Sequence, residues 1–128
     1  MRRIEIHAGG VSATATLAEG ETADAIWQAL PFEGQANCWG DEVYFEIPVE
    51  QAQAGDAREE VAPGELGYWP LGRAFCIFWG PTPASQADEP RAYSPVNVCG
   101  KLEGAPAVFQ GVQGGSRVRV EKGRGGGA

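Results

Sequence analysis

The sequence predicts a mainly β fold, a closed barrel of about eight short strands with one or two short helices. Three observations lead to it. Short runs alternate apolar and polar residues, as strands buried on one face do. Nineteen Gly and nine Pro among 128 residues separate those runs with turns, which disfavours a helical bundle. The tract Ala74–Trp79 is apolar at every position, so a strand there has two faces to cover. One fills a barrel interior, and the other needs a helix, a loop or a ligand over it.

In chain order, Arg3, Glu5 and His7 alternate with Ile4 and Ile6. After Ala8-Gly9-Gly10, Val11, Ala13, Ala15 and Leu17 alternate with Ser12, Thr14 and Thr16. This is the pattern of a half-buried hairpin. Thr22 is placed to cap a short helix in which Ala23, Ile26, Trp27 and Leu30 fall at i, i+3, i+4 and i+7 before Pro31 ends it. A strand runs through Gln35–Trp39, turns at Gly40-Asp41 and returns as Glu42–Ile47. Val43, Phe45 and Ile47 then share one face, and Glu42, Tyr44 and Glu46 the other. Residues 49–60 hold few large apolar anchors and read as an exposed loop with at most a helical turn.

Ala62-Pro63-Gly64-Glu65 has the chemistry of a type II turn, with Pro presetting φ and Gly accepting a positive one. Leu66–Trp69 is a short strand, Pro70-Leu71-Gly72 a second turn, and 74–79 the doubly apolar strand. Residues 80–95, with Pro81, Pro83, Pro90 and Pro95, form a long loop, of the kind that often carries function. Val96, Val98 and Leu102 mark another strand, Ala105–Gln110 a helical turn with Pro106 near its start, and Arg117–Glu121 the last strand.

A chain of 13.5 kDa is one domain, large enough to bury a core without disulfides or a structural metal. Its expected bounds are 1–122, followed by a disordered Gly-rich tail over 123–128. Ten basic against 17 acidic residues leave a net charge of -7, a field that repels phosphate backbones and anionic lipid. Neither nucleic acid nor a membrane is an expected partner. The first residues lack the apolar run of a secretion signal, and no stretch approaches the roughly 20 apolar residues of a membrane span, so a cytoplasmic location is expected.

Cys38, Cys76 and Cys99 are an odd number without CxxC spacing, which points to reduced, mostly buried thiols. A single histidine and scattered carboxylates give no metal-ligand spacing, and Gly9-Gly10 leads into a strand rather than a helix, so it cradles no phosphate. No metal and no cofactor is expected.

Three blocks carry a resemblance: Gly40-Asp41-Glu42-Val43-Tyr44-Phe45, the long run from Gly64-Glu65-Leu66-Gly67-Tyr68-Trp69 through Gly80-Pro81-Thr82-Pro83, and Pro95-Val96-Asn97-Val98-Cys99-Gly100-Lys101-Leu102. In this order they resemble a family of small uncharacterised bacterial and archaeal proteins with a cyclophilin-like fold. The resemblance implies a closed cyclophilin-like barrel similar to that of the peptidyl-prolyl isomerases, in a family without an established activity. Fold alone does not carry catalysis across. The only histidine, His7, lies on the exposed side of the first strand, and the isomerase catalytic residues are not carried over to this chain.

The candidate ligand-binding residues are Glu42, Tyr44, Trp69, Arg73, Phe75 and Asn97. Alternate side chains on one strand face line a groove, and Glu42, Tyr44 and Glu46 either do so or simply solvate the surface. Tyr44, Trp69, Phe75 and the 80–95 loop are expected to build an aromatic-lined cleft that holds a peptide or small molecule without catalysis. The alternative in the enzyme class is a weak peptidyl-prolyl cis-trans isomerase, with Arg73 donating to the amide nitrogen and no cofactor required. Against it, Arg73 also suits a surface ion pair. Asn97, between two valines, either contacts a ligand or satisfies buried backbone groups next to the proline-rich loop. Cys76 among Phe75, Ile77 and Phe78 reads as a buried, inert thiol. A third reading is a homodimer built on exposed Trp39 or Trp79.

Overall fold

The computed structural model describes residues 2–123. Its strands are β1 (Arg3–Ala8), β2 (Val11–Leu17), β3 (Phe32–Gln35), β4 (Asn37–Cys38), β5 (Glu42–Glu46), β6 (Arg58–Glu60), β7 (Glu65–Trp69), β8 (Ala74–Phe78), β9 (Arg91–Leu102) and β10 (Arg117–Lys122), with one α-helix, α1 (Glu21–Ala29). Hydrogen-bonded neighbours run β3-β10-β1-β2-β9-β7-β8-β5-β4, and β6 pairs with β9 off that path. All pairings are antiparallel.

The fold is mainly β, but the sheet is not closed into a barrel as the sequence predicts. The path ends on β3 and β4, which are not paired with each other. They are consecutive in the chain, separated by Ala36, where the backbone leaves β10 and crosses to β5. Only Asn37 and Cys38 then pair with β5, opposite Tyr44 and Val43. Further along, the Phe45 ring takes the space a backbone ladder would need. A Cβ on Gly34 would lie 3.0 Å from Phe45 Cδ2 and 3.1 Å from the Glu46 carbonyl oxygen. Side-chain packing, not hydrogen bonding, fills this seam.

The first hairpin forms in the expected register, with Ile4 opposite Ala15 and Ile6 opposite Ala13, and Gly9 takes φ 59° at its turn. Helix α1 starts earlier than the Thr22 cap predicts. Its N-cap is Gly20, at φ 136°, and no side chain caps it. The Thr22 hydroxyl is engaged elsewhere, accepting from Asn97 Nδ2 at 3.1 Å. The helix ends before Pro31, whose peptide bond to Leu30 is cis, and it buries Ala23 and Ile26 against the sheet.

The predicted type II turn is present: the Glu65 N–H donates to the Ala62 carbonyl at 3.0 Å, and Gly64 has φ 92°. Pro70–Gly72 and Pro106–Gly111 are 3-10 turns. The segment read as an exposed loop also contains β6, which no apolar alternation announces because all three of its residues are exposed. The proline-rich loop ends at Pro90, and Arg91 already belongs to β9. Of the tail expected over 123–128, the Gly123 N–H donates to the Arg3 carbonyl at 2.8 Å, and the rest lies outside the described residues.

Strand β8 is buried at every position, and its two faces enter different cores. Phe75 and Ile77 join Ile4, Ile6, Phe45, Leu66, Val118 and Val120 in the main core. Ala74, Cys76 and Phe78 join Val61, Ala92 and Val96 in a second, smaller one. The first half of β9 supplies the outer cover. It can sit this low because Gly67 carries no side chain, and a Cβ there would lie 2.9 Å from Val96 Cγ2. The β7–β9 register also shifts at this point, between Leu66 and Gly67.

Candidate functional site: an aromatic cleft over the second core

Where the second core meets solvent it leaves a cleft of about 160 Å³, lined by Trp39, Glu42, Tyr44, Trp69, Cys76, Ala92, Tyr93 and Val96. Tyr44 meets Trp69 at a centroid distance of 6.2 Å and an interplanar angle of 80°, Trp69 meets Tyr93 at 6.0 Å and 76°, and Tyr93 meets Trp39 at 6.2 Å and 67°. These are edge-to-face contacts, the arrangement ring quadrupoles favour. Rings set at steep angles to one another wall a space on several sides, where stacked rings would close it.

Each wall is fixed by backbone. Trp39 and Glu42 flank the β4–β5 turn, in which the Trp39 N–H donates to the Glu42 carbonyl at 3.0 Å. Gly40 has φ 59°, and a Cβ there would lie 2.7 Å from Thr82 Cα, so only glycine fits. The turn is clamped to the following loop by Asp41 N–H to the Pro81 carbonyl at 2.9 Å and Trp79 N–H to the Asp41 carbonyl at 3.0 Å. The Trp69 ring rests on Gly72, where a Cβ would lie 2.5 Å from Cε3, and its Nε1 donates to Ser94 Oγ on β9. Tyr93, at the mouth, is 71% exposed.

Glu42 is the charged residue of the lining, and it is 5% exposed. Burial pushes its carboxyl up to about 7, offset in part by a hydrogen bond with the Cys76 thiol. Burial and the Glu42 charge in turn push the Cys76 thiol well above its ordinary value. It is therefore a protonated wall of the cleft and not a nucleophile.

Residues 2–121 match the family described as Cyclophilin-like. The chain belongs to the cyclophilin-like family. It is also similar to the solution structure of a hypothetical protein from Archaeoglobus fulgidus, with 35% sequence identity, a TM-score of 0.80 and 95% of each chain covered. No curated protein matches.

In this cyclophilin-like chain the predicted site residues separate. Glu42, Tyr44 and Trp69 come together in the cleft, and Glu46, on the same face of β5, is exposed outside it. Phe75 does not line the cleft. It is fully buried on the opposite face of β8, 5.5 Å from the Phe45 ring. Arg73 does not line it either. The residue sits at φ 47° after the 3-10 turn, half exposed, with its guanidinium 3.5 Å from the Glu46 carboxylate. From the expected 80–95 loop only Ala92 and Tyr93 contribute, both from β9. The loop itself is folded on its own hydrogen bonds: the Glu89 carboxylate accepts from the Gln86 and Ala87 N–H groups at 2.8 Å and from Arg91 Nε at 3.0 Å. Those donors hold its carboxyl down at about 2.

Asn97 is 2% exposed and bridges three segments. Its Nδ2 donates to the Ala52 carbonyl at 2.9 Å and to Thr22 Oγ1 at 3.1 Å, and its Oδ1 accepts from the Ala54 N–H at 2.8 Å. The bridge therefore runs to the 51–54 loop and the start of α1, not to the proline-rich loop. Asn97→Ala is expected to lower stability by about 2 kcal/mol, because the buried partners lose their hydrogen bonds. Urea unfolding of the two proteins measures it.

Trp39 is a cleft wall, and Trp79 stacks on Phe109 at 6.3 Å and 30° while half-buried against the main core. Both are half-buried, and the large hydrophobic side chains exposed among the described residues are Leu71, Tyr93 and Val108. Among the described residues, Glu5, His7 and Glu121 are the group whose ligand atoms converge. His7 Nε2 lies 2.8 Å from Glu121 Oε2 and its Nδ1 lies 2.9 Å from Ser12 Oγ, while Arg119 adds positive charge 3.7 Å from Glu121. Hydrogen bonds of the His7 ring and the Arg119–Glu121 ion pair already engage these side chains. No helix among the described residues is long and apolar enough to cross a membrane.

Of the cleft lining, Trp39, Cys76 and Val96 are missing from the sequence-derived set, and Ala92 and Tyr93 entered it only as part of the 80–95 loop. The expected Gly40-Asp41 turn brings Trp39 beside Glu42, but the sequence does not show that its ring faces the cleft rather than an outer surface. Tyr93 lies among Arg91, Ser94 and Pro95 with no apolar alternation around it.

Proposed function

We propose that this cyclophilin-like protein is a non-catalytic binding module that takes one ring-sized group of a peptide or small molecule into the cleft over its second core. The carrying observation is the cleft itself, about 160 Å³ walled by four aromatic side chains and the apolar Ala92 and Val96. That volume suits a single ring, since an apolar cavity of about 150 Å³ holds benzene. It is below the roughly 300 Å³ at which sites for whole drug-sized ligands begin. A ligand would therefore insert one group and leave the remainder outside.

Burial of such a group against aromatic faces supplies the affinity, and the fixed turns around Gly40 and Gly72 supply a preformed shape. The isomerase alternative draws less support. Arg73, the amide donor that chemistry would use, pairs with Glu46 outside the cleft.

The test is tryptophan emission titrated with ring-bearing probes, benzyl alcohol and N-acetylproline methylamide. A saturable change is expected, weakened about tenfold or more in Trp69→Ala, which removes one wall. A response that stays linear with both probes, or one that is the same in Trp69→Ala, would sink this reading.

A further inference from the structure

Glu42 sets an energetic problem that an apolar occupant does not solve. Its carboxyl is buried at the cleft, and among the described residues it forms no ion pair and has only a thiol as side-chain partner. Among the described residues no Lys, Arg or His lines the cleft. A carboxylate held this way loses its water without gaining a counter-charge, and that cost favours either protonation or the arrival of a cation. The four rings around it offer electron-rich faces, which attract a cation within about 6 Å of a centroid.

We infer that the group this cleft accepts is a methylated ammonium, held by cation–π contact with Trp39, Tyr44, Trp69 and Tyr93 and by the Glu42 carboxylate as counter-ion. This rests on the reading of the cleft as a binding site and specifies its occupant. A primary ammonium would bring three N–H donors and a guanidinium five. The aromatic walls cannot satisfy so many, and one carboxylate is not enough. A fully methylated nitrogen carries the charge with no N–H to satisfy, and its methyl groups pack on ring faces as any apolar group would. A trimethylammonium head is compact enough for a cleft of about 160 Å³. The net charge of -7 also favours the approach of a cation over that of an anion.

The test compares choline with its uncharged isostere 3,3-dimethylbutan-1-ol by calorimetry at pH 8, where Glu42 is ionised. Choline is expected to bind about tenfold more tightly, and Glu42→Gln to narrow that gap. Should the variant fold poorly, the wild-type protein at pH 5 gives the same comparison, because protonating Glu42 removes the counter-charge. The other titratable groups lining the cleft are Cys76 on β8, Tyr44 on β5 and Tyr93 on β9. A peptide bearing trimethyllysine distinguishes two sources of the same head group. Tighter binding than choline assigns it to a protein chain, and weaker binding to a free small molecule.

Equal or tighter binding of the uncharged isostere overturns the cation assignment and leaves the cleft a binding site. Binding of the ring-bearing probes without any of choline does the same. If choline, isostere and ring probes all fail to bind, both readings fall.

Discussion

Phe75→Ala is expected to destabilise the fold by about 3–5 kcal/mol, the range for truncating a fully buried aromatic side chain. Phe75 is 0% exposed. It stands opposite Phe45 on β5 and Tyr68 on β7 and so ties three strands into the main core. Its removal leaves a void bounded by strands that are hydrogen-bonded on both sides and cannot collapse far. Denaturant unfolding of both proteins measures the loss. Because the side chain points away from the cleft, the affinity of the folded variant for any cleft ligand is expected to match that of the wild type. A variant that folded with nearly full stability but lost binding would return Phe75 to the cleft.

That residue also shows where the sequence stops being legible. On β5, polar Glu42 and Glu46 alternate with apolar Val43 and Phe45, so the phase of the strand can be read directly. On β8 every residue is apolar, and alternation says nothing about which face is which. The phase follows only from pairing. Tyr44 stands opposite Cys76 and Phe45 opposite Phe75, so the cleft side of β8 is Cys76. The need for two covers was legible from composition, and the second core over Ala74, Cys76 and Phe78 meets it. What supplies that cover was not, since the start of β9 contains Arg91, Tyr93, Ser94 and Pro95 and pairs with a three-residue strand that is wholly exposed.

Closure of the barrel lay beyond the sequence for a related reason. Local pattern identifies strands, but whether the last two edges pair depends on what fills the gap between them. Here Phe45 reaches beneath Gly34, and the ring occupies the seam. Asn97 is a milder case. Its place between valines marks a polar group that must be satisfied, but its partners lie in the 51–54 loop and α1, far away in the chain.

Glu42→Gln is expected to abolish a fall in stability that the wild-type protein undergoes as pH rises from about 4.5 to 7. The sign follows from proton counting. In the folded chain burial holds the carboxyl at about 7, whereas the unfolded chain releases its proton near the ordinary value of 4.5. Between those values the folded state carries one proton more, so raising the pH favours unfolding, by roughly 3 kcal/mol in total at ~1.4 kcal/mol per pH unit. Below the window both states are protonated, and above it both are ionised, so the effect is confined to it.

The amide of Gln does not titrate. Its absolute stability can differ from that of Glu42, but its pH profile lacks this step, and the difference between the two profiles is the quantity to measure. Glu89 and Glu103 do not interfere, because their folded-state values lie below the ordinary one and their contributions are lost only in more acidic solution. Urea unfolding of both proteins at pH 5 and pH 8 reads the step, and parallel profiles would mean that Glu42 is hydrated in the folded chain. A bound methylated ammonium should reverse the effect in the wild type alone: by stabilising the ionised carboxylate it pulls the folded-state value down, and the stability lost at pH 8 returns as ligand is added.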